Sequence, residues 1–185
     1  KGIDSGVRLG MFRFMAWVFA EHQFPIVVQT LSPDAPERIA SFMDLPRSFG
    51  PLQTNRHDDL ALLMLLMRLR AKLLSEFQQD APIRLFVDEG RLKDGQGFVI
   101  PPLTNVFCDG TVFFASSNKV IPIQLADSAA FTINRWKILA TKESLSEFDK
   151  EFLRIVTPIA ELYMDSEQVV VMDYPGLKNW KSGLH

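Results

Sequence analysis

Cysteine is almost absent from this chain: Cys108 is the only one among 185 residues. A single thiol excludes an internal disulfide and a cysteine-rich zinc site. Histidine is scarce as well, with only His22, His57 and His185, so a centre needing several imidazole ligands has few to draw on. Charge of one sign is missing too. The 20 Lys and Arg are balanced by 22 Asp and Glu, a net charge of −2. That excludes coating nucleic acid by bulk charge and leaves room only for a local basic patch. Long apolar runs are lacking: Arg8 and Arg13 interrupt the stretch 7–20, and the unbroken run 14–20 falls far short of the roughly 20 residues that cross a bilayer. No small-x-small cleavage site follows it, which excludes a cleaved secretory signal. There is no Gly-x-Ser-x-Gly elbow, no Gly-x-Gly-x-x-Gly turn and no Walker loop. The run Asp94-Gly95-Gln96-Gly97 has no helix pattern after it, so it does not read as a phosphate cradle.

What is present is an ordinary globular composition. Hydrophobic residues at 47% and charged residues at 23% place the chain outside the disordered class. A chain of this length buries roughly 70% of its unfolded surface and folds without a metal or disulfide. The expectation is one domain over residues 1–185, with 175–185 as a C-terminal tail. The chain opens on Lys1 rather than Met and reads as a processed product or a piece of a longer protein. The lone thiol points to a reducing, cytoplasmic setting.

Periodicity predicts the elements. Residues 7–22 read as a helix that is apolar on most sides, and such a helix must be covered on more than one. Residues 24–30 form a β-branched run, read as a buried strand. Ser32-Pro33-Asp34 opens a helix with Ile39, Phe42 and Met43 inward, and 45–55 reads as a loop. The clearest helix spans 58–77, capped by Asn55 or Asp58, buried all round over 60–67. Beyond that it exposes Arg68, Arg70 and Lys72 and turns Leu69, Leu73, Leu74 and Phe77 inward. The period then changes to two. Strands are predicted at 83–87, 95–100, 104–108, 111–115 and 120–125, with Asp109-Gly110 as a hairpin turn and residues 116–119 as a second turn. Residues 131–139 fit helix or strand. Ser144 with Glu147 forms a capping box for a helix over 145–164, kinked at Pro158, and 168–174 reads as a last strand.

Strands that run together rather than alternate with helices give an α+β fold with an antiparallel meander packed against several helices. The order of apolar helix, strand and long helix resembles ligand-sensing domains such as GAF domains. No sequence motif carries that resemblance, so it implies no site residues.

The candidate chemistry is thin. Arg56-His57-Asp58-Asp59 contains the His-Asp doublet of metal-dependent phosphohydrolases, which makes His57 and Asp58 the place for a metal-dependent hydrolase. The plainer reading is a helix start with acids at its positive end. Asp88 and Glu89 fit a solvated turn, Asp109 a turn role and Cys108 a small buried hydrophobe, while Ser116 and Ser117 have no histidine in sequence reach. A nucleic-acid surface would use Arg47, Arg56, Arg68, Arg70 and Lys72, with the aromatic-basic runs at 134–137 and 178–181 for stacking.

The least explained feature is apolar surplus. There are 15 Phe, 7 Met and 3 Trp, and the all-round apolar helix lies near an end of the chain, where elements are usually least buried. Phe12, Met15, Trp17 and Phe19 are therefore the candidate interface, for a homodimer or another protein. Seven acids over residues 141–167 against the basic region 56–72 add opposite-sign faces that can orient docking. The expectation is a non-enzymatic interaction, regulatory or sensor domain that serves as an adaptor or assembly component. It calls for no cofactor, no resident metal and no membrane span.

Overall fold

The computed structural model describes residues 4–42, 45–75, 82–161 and 163–164. In chain order the elements are α1 (Ser5–His22), β1 (Ile26–Val27), α2 (Ala35–Phe42), β2 (Ser48–Phe49), β3 (Leu52–Gln53), α3 (His57–Ser75), β4 (Ile83–Asp88), β5 (Gly97–Val99), a 3-10 turn (Pro101–Leu103), β6 (Phe107–Ala115), α4 (Ile121–Ala140), α5 (Glu147–Glu161) and β7 (Tyr163–Met164). The class is α+β, as expected. The described chain falls into two compact units, one from residues 4–27 and 120–164, the other from 28–119.

The unit of residues 28–119 is built around α3. Its apolar residues recur on two faces, and each face has its own cover. Leu63, Leu66, Met67 and Leu73 join Phe49, Leu52, Ile100, Leu103, Val106, Phe107, Val112 and Phe114 in the main core. Leu60 and Met64 pack instead with Ala35 and Ile39 of α2. Leu74 is 41% exposed rather than inward, whereas Arg68, expected at the surface, is buried. Phe77 lies outside the described residues. The segment 45–55 holds a short antiparallel pair, β2 with β3, which contributes Phe49 and Leu52 to the core.

The three-stranded sheet has the order β4-β6-β5. β5 pairs with β6 antiparallel, but β4 and β6 run parallel, so the sheet is mixed rather than a meander. The expected hairpin at Asp109-Gly110 is absent, because both flanking runs belong to one strand. Asp109 (φ 54°) and Gly110 (φ 64°) bulge out of β6. Pairing with β4 jumps there, from Ile83 opposite Phe107 to Leu85 opposite Val112. An Asp-Gly pair supplies positive φ, which a bulge needs as much as a turn does. The Gly110 carbonyl accepts the Ile100 N–H at 2.9 Å. A Cβ on Gly110 would sit 2.8 Å from Thr104 Cγ2 and 3.0 Å from the Ile100 carbonyl oxygen. Cys108 is half-buried beside this bulge, its sulfur 3.6 Å from the Pro82 carbonyl oxygen.

The other unit joins α1, α4 and α5, with the parallel pair β1 and β7. The Asp4 carboxylate caps α1, accepting the N–H groups of Gly6 at 2.8 Å and Val7 at 3.3 Å. The residues expected as a strand at 120–125 begin α4 instead. Pro122 cannot donate to a strand ladder but fits the first turn of a helix, where its N–H is not needed. Residues 131–139, equally compatible with helix or strand, continue that helix. α5 starts at Glu147, and Ser146 rather than Ser144 caps it. The Ser146 hydroxyl accepts the Asp149 N–H at 3.1 Å and donates to the Asp149 carboxylate at 2.9 Å. Phe152, Ile155, Val156 and Ile159 form the buried side of α5, and Pro158 lies inside the helix. The strand expected at 168–174 and the tail at 175–185 lie outside the described residues.

Two carboxylates of α5 tie this unit's helices together. Asp149 meets Arg135 of α4 at 2.7 Å and Lys142 at 3.3 Å. The Ser146 hydroxyl, and then Lys142, hold its carboxyl below the usual range. Glu151 is held between Arg154 on its own helix and Arg13 of α1. The Arg154 guanidinium, then that of Arg13, takes its pKa from 4.5 to about 2.

Gly110→Ala is expected to destabilise the protein by about 1–3 kcal/mol, since it forces a side chain into positive φ against a carbonyl and Thr104. The shift in urea midpoint by circular dichroism measures it. For Glu151, the unfolded chain takes up the proton near pH 4.5 and the folded chain only near pH 2. Acid therefore favours unfolding between those values, and stability rises with pH across them. Glu151→Gln should flatten that part of a plot of stability against pH and leave the plot above pH 5 parallel to wild type.

Candidate functional site

Helix α1 carries two apolar faces. Ala16 and Phe19 are buried. Phe12, half-buried, meets the Phe152 ring edge-on at 4.9 Å and stacks on Phe131 at 5.8 Å. These contacts occupy the inner face. Val7, Met11, Phe14 and Trp17, spaced four, three and three residues apart, run along the opposite side at 56% to 60% exposure. Helical geometry places such positions in one stripe. Phe14 and Trp17 touch each other, ring centroids 6.0 Å apart. Arg8 lies over the Phe148 ring and Arg13 pairs with Glu151, so neither cation breaks the stripe.

The four interface residues expected from the sequence therefore divide. Trp17 lies in the exposed stripe. Phe19 is turned into the core of its unit, Phe12 is held in the aromatic contacts, and Met15 is half-buried. Val7, Met11 and Phe14 belong to the stripe and were missed. Their spacing was in the sequence, but an all-round apolar helix does not announce which of its faces will be covered.

The basic region also divides. Arg47 is exposed. Arg56 reaches toward Asp59 at 3.7 Å, and Arg70 Nε donates to Asn105 at 3.3 Å. Lys72 is half-buried and engaged. Arg68 is buried, with Nε and Nη1 closed off from solvent and without a hydrogen-bond partner among the described residues. Of the five, Arg68 is thus withdrawn from the surface on which a phosphate backbone would lie.

At the start of α3 Asp59 serves the fold. Asp59 is 2% exposed. It accepts the Gln53 N–H from β3 at 3.0 Å and pairs with Arg91 Nε at 2.7 Å. The helix begins at His57, so Asp58 lies inside its first turn and Asn55 stands two residues before it. Asp58 is exposed, 3.7 Å from both His57 and Arg91, and the His57 ring lies 3.3 Å from the Leu31 carbonyl oxygen. Among the described residues, no three His, Cys, Asp or Glu side chains come together to hold a metal ion. Arg91 fills the position facing both carboxylates. A cleft of about 530 Å³ lies beside it, lined by Glu89, Gly90, Arg91, Leu92, Lys93 and Gln96. Asp88 and Glu89 are exposed.

No family model, curated protein or solved structure matches the chain.

Arg91→Ala should cost on the order of 3 kcal/mol, because it removes the closest cation from a buried carboxylate. Asp58→Ala, at an 84% exposed side chain, should stay within about 0.5 kcal/mol of wild type. Paired urea titrations measure the contrast.

Proposed function

We propose that this chain is a non-enzymatic interaction module, an adaptor or assembly component that docks a second copy of itself through the outer face of α1. The observation that carries the reading is the continuous stripe of Val7, Met11, Phe14 and Trp17 on a helix whose other face is already buried. Exposed aromatic and methionine side chains in one row are costly in water and are the anchors that interface cores favour. The stripe contains no charge, so two copies can meet apolar face to apolar face as an isologous contact requires. Gly10 lies among these residues with open space where a Cβ would stand. A glycine in a helix interior costs about 1 kcal/mol relative to alanine, and at Gly10 a second backbone can approach closely. A cytoplasmic setting belongs to the same reading, supported by the single thiol. No helix among the described residues is long and apolar enough to cross a membrane.

Native mass spectrometry tests the reading. Wild type is expected at twice the chain mass, and Trp17→Glu and Phe14→Glu at the chain mass with an unchanged thermal midpoint. A wild-type monomer at micromolar concentration would overturn the choice of a second copy. Variants that lose their thermal transition would show that the stripe belongs to a core.

A further inference from the structure

The buried charges of α3 are treated unequally. Asp59, at one end, accepts a backbone N–H on Oδ2 and has two guanidinium groups beside it, although its Oδ1 is held by ion pairing rather than by a hydrogen bond. Arg68, farther along the same helix, is 9% exposed and receives nothing: Nε and Nη1 are both closed off with no hydrogen-bond partner among the described residues. The third guanidinium nitrogen, Nη2, is not among the closed-off atoms. A guanidinium cannot shed its proton to relieve burial. An unpaired buried charge is strongly destabilising, and buried polar groups in native proteins are otherwise almost always partnered. Arg68 follows Met64 by one helical turn, on the side of α3 that packs with α2.

We propose that Arg68 is the receiving group of an oxyanion site on α3, with a carboxylate or phosphate oxygen reaching it through Nη2. Nη2 carries two N–H donors for the oxygens of either group, and partial burial strengthens a charge-assisted hydrogen bond. The ligand class is a small molecule bearing a phosphate or carboxylate. No bond is made or broken, and the site is independent of the α1 face.

The test uses inorganic phosphate and acetate as probes, with chloride holding the ionic strength constant. The thermal midpoint of the wild type should rise with phosphate or acetate and saturate, since a ligand that binds only the folded chain stabilises it by mass action. Which probe acts at lower concentration separates the phosphate source from the carboxylate source. Arg68→Met should abolish the rise, and without probe it should be at least as stable as wild type, because an apolar side chain of similar length replaces an unpaired charge. An equal rise in both proteins would overturn the proposal, as would an Arg68→Met midpoint well below wild type without probe, which would mean that Arg68 is satisfied inside the fold. Should Arg68→Met fail to fold, the wild-type arginine Nε–H resonances decide. One of them, assigned through Arg68→Lys, must shift on phosphate or acetate addition with the same saturation, and its failure to move sinks the site.

Discussion

A helix that is apolar on two faces cannot be satisfied by one contact, and this constraint runs through both units. In the unit of residues 28–119, α3 meets it in full: the sheet and the β2–β3 pair cover Leu63, Leu66 and Met67, and α2 covers Leu60 and Met64. In the other unit α1 meets it by half. Phe12, Ala16 and Phe19 face inward, and Val7, Met11, Phe14 and Trp17 do not. Two helices of similar composition thus end in different states, one a structural axis and the other a helix with a face to spare. The proposed self-association is the second half of the burial that α1 begins within its own chain.

Charge is handled with the same asymmetry. The carboxylates of Asp149 and Glu151 hold α4 and α1 to α5 through arginines that keep much of their contact with water. Asp59 binds the β2–β3 pair, the start of α3 and the segment after β4 into one node. In each case the acid recruits a partner from outside its own helix. Among the described residues Arg68 recruits none, and the contrast gives it meaning: Asp59 gathers a backbone N–H and two guanidinium groups around it, while Arg68 has Nε and Nη1 closed off alone.

Much of the architecture was legible in the amino-acid order. The α1 and α3 helices, the strands at 83–88 and 97–99 and the helix after Ser146 all follow from periodicity. The misreadings had specific causes. Asp109-Gly110 offers positive φ, and only the strand partners decide between reversing the chain and bulging within it. Ile121-Pro122 begins an apolar run with a strand's composition, and the proline makes it a helix start. Of the exposed apolar row on α1, the sequence reading picked out Trp17 and not Val7, Met11 or Phe14.

What the sequence determined by itself is the α+β class, the two strongly apolar helices and the shortage of metal ligands, because composition and period act locally along the chain. Only the tertiary structure decided which face of α1 is left open, that β4 and β6 run parallel, and that Arg68 is buried while its neighbours reach partners or solvent. These depend on what packs against each surface, and packing joins residues that the sequence keeps far apart.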